Sequence, residues 1–221
     1  MPTSLRCFFA ALTVLCFSAP AMGSIVVNGD FESPNIGNTL FQTFTSGSTA
    51  ITGWTVNGTS VDLVTTRTGI SGYAFSGQQS VDLSGTPGPG GIFQDLPTTA
   101  GLRYLVSFDV STNDQGNPGV SHVNRPLVVK INGVTVLTLP VTPPQGTWLQ
   151  FNVPFIATGP TTRLEFDSVD GANEGPLLDL VSADVAPVVP EPSTIAILGV
   201  GGLGLAFAAF RRRKNANKNA K

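Results

Sequence analysis

The 221 residues carry 12 Lys and Arg against 14 Asp and Glu, with 41% apolar side chains and 2 cysteines. The charge is segregated: residues 24–190 hold five cations (Arg67, Arg103, Arg125, Lys130, Arg163) against thirteen carboxylates, about −8, while the last eleven residues hold six cations. An acidic body excludes nucleic-acid binding, which needs a basic footprint. Cys7 and Cys16 both precede residue 23, so the body has no disulfide, thiolate nucleophile or sulfur metal site.

Residues 1–23 start with a basic Arg6, run apolar from 7 to 17 and end among the small residues Ala19, Ala21 and Gly23. This is the layout of a secretory signal peptide, with an apolar run too short to span a bilayer permanently. Cleavage is expected after Gly23, with Ala21 the other fitting position. Leu15 stands before Cys16 where a lipobox needs a small residue, so lipidation is not expected.

Residues 24–186 read as an all-β body. Strands are expected over 51–56, 60–64, 79–83, 91–96, 104–110, 127–131, 134–139, 148–155, 163–166 and 177–185. Alternation is plain in Tyr104, Val106, Phe108 and Val110, and again in Leu149, Phe151, Val153 and Phe155. Asn132-Gly133 between two such runs is a two-residue hairpin turn, and Pro154 belongs on an edge strand or at a bend. The sequence Ser-Val-Asp-Leu occurs twice, at 60–63 and 80–83. In each copy Val and Leu face one way and Asp the other, so the copies are expected on neighbouring strands with the same facing. Many short strands without a helical period point to a sandwich or barrel. Asn57-Gly58-Thr59 matches a glycosylation sequon but reads as a turn.

Residues 187–214 form a separate segment. Val189, Pro190, Glu191 and Pro192 lead into an uncharged apolar run, 194–210, closed by Arg211, Arg212, Arg213 and Lys214. Seventeen residues of helix reach roughly 25 Å, the short end for a membrane span. The cationic stop places the body outside and the basic tail, 215–221, inside. The order of Pro-Glu-Pro, apolar span and Arg cluster resembles the PEP-CTERM sorting signal of exopolysaccharide-producing Gram-negative bacteria. That resemblance implies recognition by an exosortase, which cuts near the motif after a transient membrane anchoring and passes the body to the cell surface or matrix.

The body carries a second, ordered set of phrases: Asn28-Gly29-Asp30-Phe31-Glu32, Ile51-Thr52-Gly53-Trp54-Thr55-Val56, Ser80-Val81-Asp82-Leu83-Ser84-Gly85, Ile92-Phe93-Gln94, Tyr104-Leu105-Val106-Ser107-Phe108, Trp148, Phe155-Ile156-Ala157 and Gly175-Pro176-Leu177-Leu178-Asp179. Together they resemble the choice-of-anchor C family, related to plant cell-wall proteins with galactose-binding-like domains. The resemblance implies a jelly-roll β-sandwich of the carbohydrate-binding type and brings no catalytic site with it.

Candidate chemistry is sparse. Tyr73 and Phe75 lie in a Gly/Ser-rich loop, 69–77, where aromatics are expected to be exposed and to touch a ligand, with Gln78 and Gln79 adjoining. Trp54 and Trp148 sit within apolar alternation and read as core residues rather than sugar platforms. Glu32 and Asp179 come from the two ends of the sandwich. They are candidates for a structural Ca²⁺, completed by backbone carbonyls, or for simple bonding to backbone amides. His122 stands in a polar loop without a nucleophile signature, and none of the carboxylates can be paired from sequence as a glycosidase requires.

The expectation is a non-catalytic exported surface or matrix protein binding an exopolysaccharide or cell-wall glycan. A purely structural or adhesive coat protein is the alternative, and a carbohydrate-active enzyme the third reading.

Overall fold

A computed structural model describes residues 23–66, 72–114, 125–169 and 173–186. The chain divides into two units, Met1–Ala186 and Pro187–Lys221. The second unit lies outside the described residues, as do the expected signal peptide up to residue 22, the sorting motif, the 194–210 span, the Arg211–Lys214 stop and His122. Among the described residues no helix is long and apolar enough to cross a membrane.

Twelve strands build the body: β1 Phe41–Thr45, β2 Thr55–Gly58, β3 Ser60–Thr65, β4 Gln79–Asp82, β5 Ser84–Gly85, β6 Gly88–Pro97, β7 Arg103–Thr112, β8 Leu127–Ile131, β9 Val134–Leu139, β10 Leu149–Ile156, β11 Thr161–Ser168 and β12 Pro176–Val185. They form two antiparallel sheets. Sheet A has the order β1-β3-β4-β12-β7-β10, and sheet B the order β2-β6-β11-β8-β9 with β5 beside β6. The all-β sandwich expected from the alternation is what the chain adopts.

Alternation places one face of every strand inward. Val61, Leu63, Val81, Leu83, Val106, Phe108, Val110, Leu164 and Phe166 are fully buried between the sheets. Trp54 lies at the centre, 5.5 Å from Phe31 and 6.3 Å from Phe166 between ring centroids, and its indole N–H donates to the Asn28 carbonyl at 3.1 Å. Trp54 is thus a core residue, as its setting in the sequence suggests. The two Ser-Val-Asp-Leu copies pair antiparallel, with Leu63 opposite Val81 and Asp62 opposite Asp82.

Asn132 (φ 50°) and Gly133 (φ 78°) make the β8–β9 hairpin in left-handed conformations, as their types require. Pro154 lies on β10, an edge of sheet A. On β9, an edge of sheet B, the register shifts by one residue at Val136. A bulge in β12 also gives Leu180 a left-handed φ of 46°. The extra residue lets Leu178, Val181 and Ala183 all face the core while Asp179 faces out.

Two expectations fail. Residues 51–54 form a turn closed by Trp54 N–H donating to the Ile51 carbonyl at 2.9 Å, because both apolar side chains reach the core from a bend. Trp148 precedes β10 and is half-buried outside the main core.

Candidate functional site

The outer face of sheet A is covered rather than solvated. Val64, Leu177 and Tyr73 form a second, small apolar cluster there, with Leu40 and Trp148 packed against it. Around it stand Asp62, Asp82, Asp109 and Asp179, all buried. In the register of the sheet they form two facing pairs, Asp62 with Asp82 and Asp109 with Asp179.

The segment 72–79 that covers this face is pinned by two carboxylates from distant strands and loops. Asp179 accepts the Phe75 and Ser76 N–H groups through Oδ2, both at 2.9 Å, and the Leu180 N–H through Oδ1 at 2.7 Å. Glu32 Oε1 accepts the Gln78 and Gln79 N–H groups at 2.6 and 2.8 Å. Gln79 then ties the N-terminal segment down, accepting from Ile36 N–H and donating to the carbonyls of Phe31 and Pro34. Burial pushes the Asp179 carboxyl up to about 7, against the three amides, which favour the anion; the charge of Glu32 adds to the upward push.

Glu32 and Asp179 therefore converge on one segment, yet the donor set around them does not suit calcium. Calcium takes six to eight oxygens, whereas five backbone N–H groups point at these two carboxylates. Among the described residues no three His, Cys, Asp or Glu side chains gather as a metal site.

The pinned segment also corrects the reading of Tyr73. Its side chain is 5% exposed and belongs to the apolar cluster, because the loop is drawn onto the sheet rather than standing free. Phe75 is 51% exposed as expected, with its ring 6.0 Å from that of Trp148.

Beside this cluster opens a groove of about 370 Å³, lined by Leu40, Phe41, Asp62, Val64, Tyr73, Thr86, Asn113, Asn173 and Glu174. Phe41, on edge strand β1, is 47% exposed. Asp62 is pushed up by burial, opposed by hydrogen bonds from Thr43 and Thr86. Behind it Asp82 is fully buried and pushed well above the carboxylate range by desolvation. It accepts from Asn113 Nδ2 at 2.6 Å and Ser84 N–H at 2.8 Å. Glu174 pairs with Arg125 at 3.1 Å. A larger hollow of about 810 Å³ lies past the other end of the pinned segment, lined by Asn35, Gly37, Asn38, Thr65, Thr66, Gln78 and Gln79. It lacks an aromatic wall, so the smaller groove has the mix of apolar surface and convergent polar groups that marks a binding site.

Neither Phe41 nor the Asp62, Asn113 and Glu174 wall is evident from local sequence. The signal present is the Asp shared by both Ser-Val-Asp-Leu copies, placed outward on a face that turns out to be covered.

The profile described as "Protein of unknown function (DUF642)" matches residues 24–184, and that of the PEP-CTERM protein-sorting motif matches residues 188–214. Both resemblances read from the sequence are met. No curated protein matches. Among solved structures, a cyclase from Fischerella sp. TAU in complex with 4-(1H-indol-3-yl)butan-2-one is similar in fold at TM-score 0.55 and 16% identity, covering 77% of this chain and 100% of its own. The CBM22-1 xylan-binding domain of Paenibacillus barcinonensis Xyn10C matches at TM-score 0.42 and 18% identity, covering 77% and 100%. TmCBM61 in complex with β-1,4-galactotriose matches at 0.47 and 12%, covering 74% and 99%.

Proposed function

This chain belongs to the DUF642 family and carries a PEP-CTERM protein-sorting motif, and from that premise we propose that it is a non-catalytic surface protein that binds polysaccharide in the groove over sheet A. The observation that carries the reading is the half-exposed Phe41 ring beside buried Tyr73, faced by Asp62, Asn113, Asn173 and Glu174. An aromatic face packs against the C–H surface of a sugar while carboxylates and amides bond its hydroxyls. Sorting motif and groove fit one purpose: display of a glycan-binding body at the envelope of an exopolysaccharide producer. In this reading 194–210 is a transient membrane anchor with Arg211–Lys214 inside, and an exosortase cuts near Pro190-Glu191-Pro192.

Two-carboxylate glycoside hydrolysis uses a pair of free carboxyls flanking one bond. Of the two lining this groove, Glu174 is tied to Arg125, which favours binding over turnover.

Replacing Phe41 with Ala should weaken retention of the producer's exopolysaccharide by about tenfold, the upper range for one aromatic contact, with the melting midpoint unmoved. Full retention by the folded variant would refute this groove as the site. Reducing-sugar release by the wild type would refute the non-catalytic part. For the sorting step, mass spectrometry of surface-released protein should find a C-terminus near Glu191, and intact Lys221 in every molecule would exclude processing.

A further inference from the structure

We propose that the groove selects glycans bearing free amino groups, such as unacetylated hexosamine polymers, over neutral and uronic-acid glycans; this rests on the polysaccharide-binding reading above. Among the described residues, the ionisable side chains at and behind its walls are mostly acids. Asp62 and Glu174 line it, and Asp82 stands across from Asp62 in the sheet. Asp114, next to the lining residue Asn113, is 1% exposed, and among the described residues neither of its carboxylate oxygens is hydrogen-bonded. Arg125, the cation nearby, is engaged by Glu174 at 3.1 Å.

Burial holds back ionisation of the Tyr73 phenol in the groove wall, opposed by a hydrogen bond with Gln145 and aided by the acids Asp82, Glu174 and Asp114. An ammonium group entering the groove would favour the anion of Asp62, which burial otherwise disfavours, because an opposite charge offsets the desolvation of a carboxylate. A uronate would meet like charge at short range in a partly dry site, where such repulsion is least screened. The long-range field of a body at about −8 acts in the same direction. Thr86, Asn113 and Asn173 remain for sugar hydroxyls and Phe41 for a ring face, so the site asks for a cationic sugar rather than a cation alone.

The test is titration calorimetry of the purified full-length chain in detergent micelles, at about pH 6, below the range of an α-amino group. The probes are a β-1,4-glucosamine hexamer, its N-acetylated counterpart, a neutral glucose hexamer, a galacturonate hexamer and hexalysine. At about 0.02 M salt the glucosamine hexamer should bind at least tenfold more tightly than either neutral oligomer. That ratio should shrink below about threefold at 0.3 M, where the Debye length is a few ångströms. Asp62→Asn should lower the amine-to-neutral ratio at least threefold. Glu174→Gln, which removes a carboxylate from the groove wall, should do so independently if the first variant does not fold. A ratio of one, or preference for the uronate, with neutral oligomers still bound would overturn the charge selectivity and leave the binding reading standing. Hexalysine binding as tightly as the amino sugar would overturn the glycan specificity. Failure of every oligomer to bind would overturn both readings.

Discussion

The outer faces of the two sheets answer the same problem in opposite ways. On sheet B, charged cross-strand neighbours are opposite in sign. Glu165 lies opposite Lys130 in register and bonds it at 2.9 Å; Arg163 lies opposite Asp95 and grips it through two bonds at 2.8 Å while resting 3.9 Å above the Phe93 ring. Asn57 donates to both Glu165 and Asp167 at 3.0 Å, and Gly91 lies so close beneath them that a Cβ there would collide with Asp167 and Asn57. On sheet A, the neighbours are matched acid to acid, Asp62 with Asp82 and Asp109 with Asp179. Like charges directly opposite destabilise a sheet and opposite charges support it. Accordingly Asp95 is held below the usual carboxylate range by Arg163, whereas burial lifts Asp62, Asp82, Asp109 and Asp179; on sheet B burial also lifts Asp167, there opposed by Lys130 and Asn57. Sheet B shows what the fold does when only stability is at stake. Departures from that pattern collect at functional sites, and here they collect beside the groove.

The comparison breaks most readily at Asp179. Asp179→Ala leaves three part-buried N–H groups without their acceptor, at about 1–2 kcal/mol each, so urea unfolding should show a loss on the order of 3–6 kcal/mol. Glu165→Ala, on the better solvated face, should lose about 1 kcal/mol. Equal losses would mean that the two faces do not differ in this way.

The next effect is one of pH. Asp179 titrates at about 7 in the fold and near 3.9 when unfolded. The folded chain holds the extra proton between these values, so the group's contribution is full below about pH 4 and lost as pH rises through about 7. Asp95 on sheet B is lowered, so its smaller, exposed contribution is present at neutral pH and lost on acidification. Between about pH 4.5 and 7.5, wild type should lose stability relative to Asp179→Asn, by on the order of 2 kcal/mol. Parallel curves would show that the amides already hold the anion.

Much of the fold is legible because its signals are local. Period-two alternation fixes the facing of β3 and β4, and Asn132-Gly133 fixes a turn by backbone preference alone. β1 escapes notice because Phe41–Thr45 is a short edge strand with one buried side chain, Phe44. The site is less legible for a different reason. Small residues in 69–77 suggest a free loop, but the acceptor that fastens it, Asp179, is more than a hundred positions away in sequence. Exposure of Phe75 follows from the loop's composition; burial of Tyr73 follows from the distant carboxylate.

Two smaller effects sharpen the contrast. Arg163→Ala should cost under about 1 kcal/mol, most of it lost in high salt, since an exposed pair stabilises weakly. Calcium or a chelator should leave the melting midpoint within about a degree. A rise of several degrees with calcium would show that a cation displaces amide donors from Glu32 and Asp179, by ligand-linked stabilisation.

Of the four strands that end the two sheets, β9 and β10 offer no clean template. β10 carries Pro154, which has no N–H to give, and β9 is thrown out of step at Val136. A bare strand edge invites the next molecule to zip onto it, and the hazard grows where copies are crowded on a cell surface. With these two edges spoiled, neighbours that jostle at high density have fewer places to zip together, β1 and β2 being the other edges.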